Sequence, residues 1–429
     1  MATTRPTLLE IHLGNTLVGS IVALAAGDTA FSFDQAYIDD DERPTLSQGF
    51  FDTYGRLRVR RPRLGSIIPF FANVLPEGDL RRYIADRAGI DHRNDLAMLW
   101  LTGGDLPGAV TARDHEGHPV PPVIAGGPAT SLPADRLFRF SLAGVQLKFS
   151  ATRKKAGGLT IPVTGRDGDF IVKLPSLHFA HVPENEYAMM QFARNVGIDV
   201  PECTLVDLEA IDGIPDDLPQ FKERKAFVIR RFDRDDGERI HIEDFNQIYR
   251  QYPRDKYDNH DYNEMGRDIY RWMGADALQD FVRRMVFTIG IGNTDMHLKN
   301  WSLIYRDRRT PALAPAYDYL CTSAYTIAGR NELGLNLGGT KAFSSIDDET
   351  FVRFARRADL APALVLTAAR DMRERVLATW PKLRAELRDE LPFVCDRVEQ
   401  LLGSVPFFTG KPTGLSGSGG AHHDHTEID

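Results

Sequence analysis

Two aspartates and one asparagine, set around a short turn, are the residues of this sequence best suited to catalysis. The segment at 292–305 reads GNTDMHLKNWSLIY, so Asn300 stands five residues after Asp295, and Asp318 follows beyond the next apolar run. Protein kinases use one aspartate to orient and deprotonate the acceptor hydroxyl, and an asparagine and a second aspartate to hold magnesium. The pattern predicts a phosphotransferase site, although a Tyr-Leu pair replaces the Phe-Gly that usually follows the second aspartate. The alternative is an ordinary loop rich in Asp and Asn.

The sequence around this segment predicts the elements that would position it. After it, residues 301–305 read as a strand, 306–311 as a turn, and 312–319 as a second strand with Asp318 at its end. Before it, a glycine-rich stretch at 290–293 should end a buried helix, whose apolar residues recur at helical spacing: Leu278, Phe281, Val282, Met285 and Ile289. A helix, a loop and a hairpin in this order favour the phosphotransferase interpretation.

A lysine and a glutamate form a second candidate pair. Lys173 lies in an apolar strand pattern at 168–175, so it either stands at an exposed edge or points into a site. The next helix begins at Pro183, and Glu186 falls on its apolar face. A carboxylate on a packed face is costly unless something pairs with it. We therefore expect a Lys173–Glu186 ion pair of the kinase type. The alternative is a glutamate that reaches solvent from the first helical turn.

Three further segments could bind a nucleotide, and each has a structural alternative. A glycine-rich turn at 101–110 could cradle a phosphate, but it lacks the Lys-Ser/Thr of a P-loop, so a close-packed turn is the simpler interpretation. The segment at 140–149 pivots on Ala143 and Gly144, small residues that would let backbone N–H groups approach a phosphate. The strand pattern at 226–234 runs into a charged turn, where a kinase places the hinge that binds adenine. A plain edge strand is the alternative there.

Residues 250–268 form a strongly polar stretch. Tyrosines are interleaved with Asp, Asn and Arg along it and just before it: Tyr249, Tyr252, Tyr257 and Tyr262. A nucleic-acid platform would be basic, whereas acidic residues match the basic ones in this stretch. We expect an ordered surface loop.

Composition excludes several classes of protein. The 429 residues suffice for two or three domains, and 42% apolar and 26% charged residues are typical of a globular protein. A net charge of −8 argues against generic binding of nucleic acid. The three scattered cysteines lack metal-binding spacing and fit free buried thiols in a reducing cytoplasm. The sequence shows no secretory-leader pattern and no apolar run of membrane-spanning length, so we expect a cytoplasmic protein without membrane contact.

Taken together, these segments resemble the HipA family of bacterial serine/threonine kinases, the toxins of HipA/HipB-type toxin–antitoxin pairs. Two positions depart from the family pattern, because Arg230 replaces an acidic residue and Leu147 a polar one. The resemblance spans nearly the whole chain and rests on these segments: FFANVLP at 70–76, GAV at 108–110, SLAGVQLK at 141–148, IVKLP at 171–175, NEY at 185–187, GIDVP at 197–201, RFDR at 231–234 and TDMHLKN at 294–300.

The resemblance implies a role for each matched residue. Asp295 would be the catalytic base, Asn300 and Asp318 would hold Mg²⁺, and Glu186 would pair with a strand lysine. The ATP contacts would come from the nucleotide loop, two strand lysines, the hinge and the catalytic hairpin: Ala143, Gly144, Val145, Gln146, Lys148, Lys173, Arg230, Arg231, Phe232, His297, Lys299 and Tyr317. The alternative for His297 is a residue that braces the loop.

The resemblance also implies self-regulation, partners and a substrate class. Ser141 would be an autophosphorylation site, and its phosphate would repel the triphosphate and silence the kinase. The alternative is a serine that satisfies a neighbouring backbone group. Family members act against host translation, some by phosphorylating aminoacyl-tRNA synthetases, and a helix-turn-helix antitoxin neutralises them and joins them on operator DNA. A protein kinase of this kind is the leading hypothesis. A small-molecule kinase and a catalytically weak corepressor are the alternatives.

We therefore predict an α+β chain with a protein-kinase-like, two-lobed fold. Residues 1–135 would form an N-terminal α/β accessory domain of the HipA type, and 136–234 an N-lobe-like part with the nucleotide loop. Residues 235–408 would form a largely helical C-lobe-like part with the catalytic loop. Residues 409–429, rich in Gly and Ser, would be a disordered tail.

Overall fold

The computed structural model describes residues 6–24, 28–58, 67–120, 147–153, 159–161, 168–215, 218, 220–325 and 331–410. The buried apolar side chains of these residues gather into three cores. One core lies in the N-terminal region, a small one lies on one face of a second sheet, and a large one joins the other face of that sheet to the helical region.

The N-terminal region is an antiparallel sheet packed against short helices. Its elements are β1 (Leu8–Leu13), β2 (Thr16–Ala23), β3 (Thr29–Phe33), α1 (Gln35–Asp39), α2 (Pro69–Val74), α3 (Gly78–Ala88), α4 (Asp95–Thr102) and β4 (Val110–Asp114). The strand order is β3-β2-β1-β4. Buried and half-buried residues alternate along β1, as in a strand with one face on a core. The buried residues Leu9, Ile11 and Leu13 share that core with Phe70 and Phe71 of α2.

The second region is built on a six-stranded sheet in the order β8-β10-β7-β5-β6-β9. Its elements, with the short hairpin that follows, are β5 (Lys148–Arg153), β6 (Leu159–Thr160), β7 (Phe170–Lys173), α5 (Val182–Asn195), β8 (Cys203–Asp207), β9 (Ile211–Asp212), β10 (Lys225–Arg230), β11 (Arg234–Asp235) and β12 (Glu238–Arg239). Along β10, Ala226 and Val228 enter the small core, whereas Phe227 and Ile229 enter the large core with α5. The α5 helix therefore lies on the same side of this sheet as the rest of the large core.

The third region is largely helical. Its elements are β13 (His241–Asp244), α6 (Phe245–Ile248), α7 (Tyr262–Gly290), β14 (Ser302–Tyr305), β15 (Ala312–Leu313), β16 (Glu332–Leu337), β17 (Thr340–Ala342), α8 (Asp348–Arg357), α9 (Pro362–Leu387), α10 (Pro392–Ser404) and α11 (Pro406–Thr409). The predicted apolar face of α7 is buried in the large core, and the helix ends where the glycine-rich stretch begins. It thus delivers the chain directly to the catalytic loop. Gly274, with φ 81° and ψ −164°, breaks α7 into two helical parts.

The catalytic hairpin differs from the prediction in its second strand. A strand was expected over 312–319, but β15 is two residues long and Asp318 lies beyond it. Pro315 has no N–H to donate to a ladder, and the Ala316 N–H donates to the Asp199 carbonyl at 2.8 Å instead. Asp318 is therefore placed by an irregular segment and not by a sheet.

The polar stretch at 250–268 also differs from the prediction, because a helix replaces the expected loop from Tyr262 onward. Asp261 caps α7, and its side chain accepts a hydrogen bond from the Glu264 N–H at 3.0 Å. An Asp followed three residues later by a Glu is a helix-start signal, which the surrounding polar residues obscured. Only the part before Asp261 is the expected ordered loop.

The N-terminal region packs on the other two regions through polar contacts. The glycine-rich turn that follows α4 is a close-packed turn, since a Cβ on Gly103 would lie 2.5 Å from the Ala112 carbonyl oxygen. Asp105 of this turn lies 2.9 Å from Arg231 and 2.8 Å from Arg234, and all three side chains are buried. Buried charges must be paired in this way to remain ionised.

All three cysteines are buried free thiols, one in each of three places: Cys203 in β8, Cys321 after the catalytic hairpin and Cys395 in α10. Burial raises the pKa of the Cys203 thiol to about 11 and that of Cys321 to about 12. Across the described residues, no helix has the length and apolar character needed to cross a membrane.

Candidate active site

The predicted catalytic loop, residues 292–300, begins where α7 ends and needs a glycine there. Gly292 has a φ of +66°, and a Cβ at this position would lie 2.3 Å from the Ser323 hydroxyl and 2.5 Å from a Leu401 methyl group. Both the left-handed backbone and the close packing therefore require glycine. The loop then turns through Asp295 and a short 3₁₀ segment, Leu298–Asn300, into β14.

Two asparagine side chains hold the backbone of Asp295, one on each side. Its N–H donates to the Asn293 side-chain oxygen at 3.0 Å, and its carbonyl accepts from the Asn300 side-chain nitrogen at 3.0 Å. The Tyr257 hydroxyl donates to Asp295 Oδ1. Asp295 is half-buried, so a substrate hydroxyl could reach its carboxylate. The five-residue spacing thus lets the Asn300 side chain hydrogen-bond directly to the Asp295 carbonyl.

Lys173 connects three elements at the centre of the site. Its Nζ lies 2.6 Å from Glu186 Oε1 of α5, which is the ion pair expected from the helix pattern, and it also contacts Asp318 Oδ1. Glu186 is only 1% exposed. Burial, more than any other effect, raises the pKa of Glu186 to about 7 despite the nearby ammonium. Burial would lower the pKa of Lys173, but the two flanking carboxylates raise it overall. Lys173 therefore keeps its charge.

Asp318 has an unusual backbone conformation and a stable charge. Its φ is +62°, in the left-handed region that few residues other than glycine, Asn and Asp adopt. The Asn293 side chain donates to its carbonyl at 3.0 Å and holds it there. Burial favours the neutral acid, but the Lys173 ammonium outweighs it and lowers the pKa of Asp318 to about 2. Asp318 is therefore an anion at neutral pH.

Lys148 and Lys173 are cross-strand neighbours. They stand opposite each other where β5 pairs with β7, so their side chains share one face of the sheet. Lys148 is solvent-exposed, yet lost solvation lowers its pKa, which the nearby Asp318 carboxylate only partly offsets. The exposed Lys148 and the partly exposed Asp318 side chain line an open part of this face, which we call the cleft. Two lysines beside one aspartate make this cleft suitable for a phosphate chain.

Lys299 is held by the N-terminal region. Its Nζ donates to the Asn73 carbonyl at 3.1 Å and to Glu77 Oε1. Lys256 lies 3.8 Å from the other oxygen of Glu77. Burial would raise the pKa of Glu77, but these two lysines lower it below its usual value. Glu77 therefore ties the accessory region to the residue that precedes Asn300.

His297 and Tyr317 are packed into the floor of the site. Burial, with Lys256 nearby, lowers the pKa of His297 to about 3, so the imidazole is neutral. Its ring meets the Tyr257 ring edge-on, with centroids 5.1 Å apart. The Tyr317 hydroxyl donates to the Lys299 carbonyl at 2.9 Å and lies 2.6 Å from the Ser302 hydroxyl. Tyr317 thus braces the hairpin, whereas both expectations for His297, a phosphate-site residue or a loop brace, stay open.

The predicted hinge residues lie in three different environments. The guanidinium of Arg231 is bound by the Asp105 and Asp233 carboxylates. Arg230 is half-exposed at the surface, 4.0 Å from Asp235. The N–H groups of Arg230 and Arg231 donate to other backbone carbonyls, so neither N–H is open to adenine. The Phe232 ring faces the Tyr317 ring at 5.6 Å.

Several predicted residues lie outside the described part of the chain. These are Ser141 and the nucleotide-loop residues Ala143, Gly144, Val145 and Gln146, together with most of the predicted tail. Their assignments remain predictions.

The sequence missed three residues that the structure brings to the site: Asn73, Glu77 and Tyr257. Asn73 lies in the segment FFANVLP, which carries the family resemblance, and Glu77 directly follows that segment. Nothing in the local sequence shows that this segment would reach the loop of Asp295. Tyr257 lay in the polar stretch that was expected to be a surface loop.

Among the residues that the structure describes, no three His, Cys, Asp or Glu side chains cluster as a metal site. A nucleotide-bound Mg²⁺ needs only one or two protein carboxylates, because phosphates and water complete its coordination. The donor set of Asn300 and Asp318 is therefore compatible with that ion.

Two family models match the chain: the HipA-like C-terminal domain over residues 140–380, and the HipA N-terminal domain over residues 9–113. A relative from Sinorhizobium fredii, named "Putative kinase Y4dM", is 46% identical over 377 residues, covering 87% of this chain and 91% of its own. The serine/threonine-protein kinase toxin HipA of Shewanella oneidensis is 25% identical over 378 residues, covering 76% and 77% of the two chains.

The solved complex of Shewanella oneidensis HipA, HipB and their operator DNA contains a chain of similar fold. The TM-score is 0.69 at 22% identity, and the match covers 94% of this chain and 99% of that chain. The likeness confirms the predicted α+β fold class.

Proposed function

The chain belongs to the HipA family, and from that premise we propose that it is an ATP- and Mg²⁺-dependent protein serine/threonine kinase, the toxin of a toxin–antitoxin pair. The contact of Lys173 with both Glu186 and Asp318 carries this proposal. In protein kinases the Lys–Glu ion pair and the metal-binding aspartate must both be in place for phosphoryl transfer. Here one lysine brings together a strand, a helix and the segment after the catalytic hairpin.

Asp295 is the base of the proposed reaction. Its carboxylate accepts the proton of a serine or threonine hydroxyl while that oxygen bonds to the γ-phosphorus of ATP. The bond from the γ-phosphorus to the β-phosphate oxygen breaks, and ADP leaves. The hydrogen bonds from Asn300 and to Asn293 hold Asp295 in position before the substrate arrives. Pre-positioning of this kind removes part of the entropic barrier.

The triphosphate of ATP would lie along the lysines of the cleft. Lys148 and Lys173 share one face of the sheet, and Lys299 enters from the catalytic loop. Their ammonium groups would neutralise charge that spreads over the phosphoryl oxygens during transfer. His297 is neutral, so it would line the phosphate site without adding charge.

Adenine would lie against the hinge. The N–H groups of Arg230 and Arg231 are already bonded within the protein. Recognition therefore falls to the Phe232 ring, which faces Tyr317, and to other main-chain groups of the segment. Arg230, where the family pattern has an acidic residue, would leave adenine recognition by the main chain of this segment in place.

Mg²⁺ would be held by Asn300 and Asp318. The Asn300 side-chain nitrogen is bonded to the Asp295 carbonyl, which leaves its oxygen as the metal-binding atom. Asp318 is ionised, with a pKa lowered to about 2. Oxygen ligands of this kind suit Mg²⁺. When bound, the ion would supply positive charge next to the β- and γ-phosphates.

The proposed partner is a HipB-like helix-turn-helix antitoxin, which would bring the kinase to operator DNA. The structural neighbour was solved as a complex of HipA, HipB and operator DNA. A net charge of −8 is consistent with DNA contact through a partner. The proposed substrate is a protein of the translation machinery, with an aminoacyl-tRNA synthetase as the first candidate. We place the protein in the cytoplasm.

Ser141 is the proposed autophosphorylation site. Phosphate there would add about −1.5 to −2 charges beside a site that must accept a triphosphate. The added charge would drive the nucleotide loop away from ATP, and the kinase would inactivate itself.

The test is phosphoryl transfer from labelled ATP in a bacterial lysate, compared between the wild type and Asp295→Ala. We expect labelled protein bands and phosphate on Ser141 with the wild type only, since a positioned acid–base group contributes about 10²–10⁴-fold. Label in small molecules alone would identify a small-molecule kinase. An absence of transfer together with antitoxin-dependent operator binding would identify a corepressor. Full activity of Asp295→Ala would refute the mechanism.

A further inference from the structure

The loop that precedes α7 lies against the catalytic loop and is joined to it by a backbone hydrogen bond. The Leu298 N–H donates to the Lys256 carbonyl at 3.2 Å. The residue after Lys256 is Tyr257, whose hydroxyl donates to Asp295 Oδ1. One of the interleaved tyrosines of the polar stretch is therefore in contact with the proposed base.

Tyr257 is held in place by more than this one contact. Its ring meets the ring of His297 edge-on, with centroids 5.1 Å apart and an interplanar angle of 78°. The buried Gln251 fixes the loop just after Tyr257, because its side chain donates to the Asp258 carbonyl at 3.1 Å and accepts from the Asn259 side chain at 2.8 Å. An ordered, hydrogen-bonded loop therefore holds the Tyr257 hydroxyl against Asp295.

A hydrogen bond at this position has a specific consequence for a base. The side-chain torsion that turns an aspartate carboxylate is soft, and the hydrogen bonds of Asn293 and Asn300 fix only the backbone of Asp295. A phenol bonded to Oδ1 fixes the plane of the carboxylate. The other oxygen, Oδ2, is then held in one direction and would receive the substrate proton.

We propose that Tyr257 is a positioning residue for the catalytic base: its hydroxyl orients the Asp295 carboxylate towards the acceptor hydroxyl. This inference rests on the proposed kinase function. The opposite interpretation is that the phenol occupies the place of the acceptor hydroxyl and blocks the base. The two interpretations predict opposite changes in rate when the hydroxyl is removed.

The test is Tyr257→Phe, which removes the hydroxyl and keeps the ring against His297. We expect kcat to fall roughly tenfold while KM for ATP stays within about twofold, the pattern of an interaction that acts in the transition state. A purely structural role would instead lower the melting temperature or raise KM. The matched control is Tyr249→Phe, which removes another Tyr-to-Asp hydrogen bond, 3.0 Å long, to Asp268. It should leave kcat unchanged.

A second measurement asks whether Tyr257 acts through Asp295. In single-turnover reactions, Tyr257→Phe should cause no further loss in an Asp295→Ala background, because residues that act as a unit are not additive. Additive losses, an unchanged kcat or an increased kcat for Tyr257→Phe would each overturn the inference. If Asp295→Ala retains full activity, the proposed function itself fails. If Asp295→Ala is inactive and Tyr257→Phe is fully active, only this inference fails.

Discussion

Lys173 is the single residue on which the geometry of the site depends most. Its ammonium is shared by two carboxylates whose pKa values move apart, to about 7 for Glu186 and about 2 for Asp318. Burial penalises the Glu186 anion, whereas Asp318 lies nearer the open cleft and is stabilised by the charge of Lys173. The two carboxylates can therefore serve different purposes, one as a structural partner of the lysine and the other as a permanent anion.

Removal of either member of the Lys173–Glu186 pair should be costly. Lys173→Met leaves Glu186 buried without its partner, and breaking a buried pair typically costs about 3–5 kcal/mol. The double variant Lys173→Met/Glu186→Gln should recover about 1–3 kcal/mol of the summed single losses, measured by urea denaturation.

The exposed pair Lys225–Glu390, with its atoms 3.1 Å apart, provides the control. A double-mutant cycle on this surface pair should give a coupling free energy under about 1 kcal/mol, because solvent screens surface pairs. Additive losses at Lys173 and Glu186 would show that the buried contact contributes nothing.

Site residues could be predicted from the sequence where both their chemistry and their spacing along the chain pointed to a contact. The interval from Asp295 to Asn300 corresponds to a hydrogen bond across one turn, and the position of Glu186 on an apolar helix face indicated that it needed a partner. Glu77 and Tyr257 reach the site from other segments of the chain. Their contacts arise from tertiary packing, which leaves no periodicity in the sequence.

At the scale of elements, α7 determines where the catalytic loop starts. Its second half is buried along the large core, and the break at Gly274 lets the first half take a different direction. The φ and ψ of Gly274 lie in a region that is essentially restricted to glycine. The path of the chain into the site thus depends on one backbone conformation.

Gly274→Ala should lower the free energy of unfolding by about 1–3 kcal/mol because of backbone strain. The strain is separable from crowding, since an added Cβ at Gly274 would meet no atom within 4 Å. Gly403 in α10 also has open space around its Cβ position and lacks the positive φ. Gly403→Ala should stabilise the protein by up to about 1 kcal/mol. If urea denaturation showed that Gly274→Ala and Gly403→Ala change the free energy of unfolding in the same direction, this explanation would be wrong.

Element boundaries were predicted less well than element types. The helix before the catalytic loop and the strand after it were predicted from apolar periodicity, which burial enforces. The second hairpin strand was too long in the prediction because its alternation continues past Pro315, where hydrogen bonding to β14 ends after the Ala314 N–H. Patterns of burial do not show where a ladder stops.

At the scale of the whole molecule, the N-terminal region braces the catalytic lobe. Besides the Glu77 contacts, the buried imidazole of His241 in β13 bonds to the Leu46 carbonyl at 2.8 Å, and Glu243 accepts from the Gln48 N–H at 2.9 Å. Since a carbonyl only accepts, the Nε2 of His241 must carry the proton. Composition predicted several domains, but it could not show that their interface is polar and buried.

The His241 contact should make the stability of this interface depend on pH. Burial lowers the pKa of His241 from 6.5 to about 4, so folding favours the neutral imidazole. The contribution of the neutral imidazole to stability is complete above the pKa of the unfolded state. It is lost as the pH falls towards the pKa of the folded state. Relative to His241→Gln, which keeps a donor but cannot titrate, the wild type should lose about 1.4 kcal/mol per pH unit in that window.

Urea denaturation from about one pH unit above the ordinary histidine pKa to about two units below it, roughly pH 7.5 to 4.5, measures the stability difference between these two proteins. A difference that stays constant with pH would show that His241 is not kept neutral by the fold.

The three buried thiols give the native chain its own reporters of local opening. Alkylating reagents react with the thiolate, and burial both shields Cys203, Cys321 and Cys395 and raises the pKa of each. Each sulfur becomes reactive only when its surroundings open, so its labelling rate measures the free energy of that opening. Because the cysteines lie in the six-stranded sheet, just after the β14–β15 hairpin and in α10, alkylation followed by peptide mass spectrometry can time the opening of each part separately, with no probe introduced.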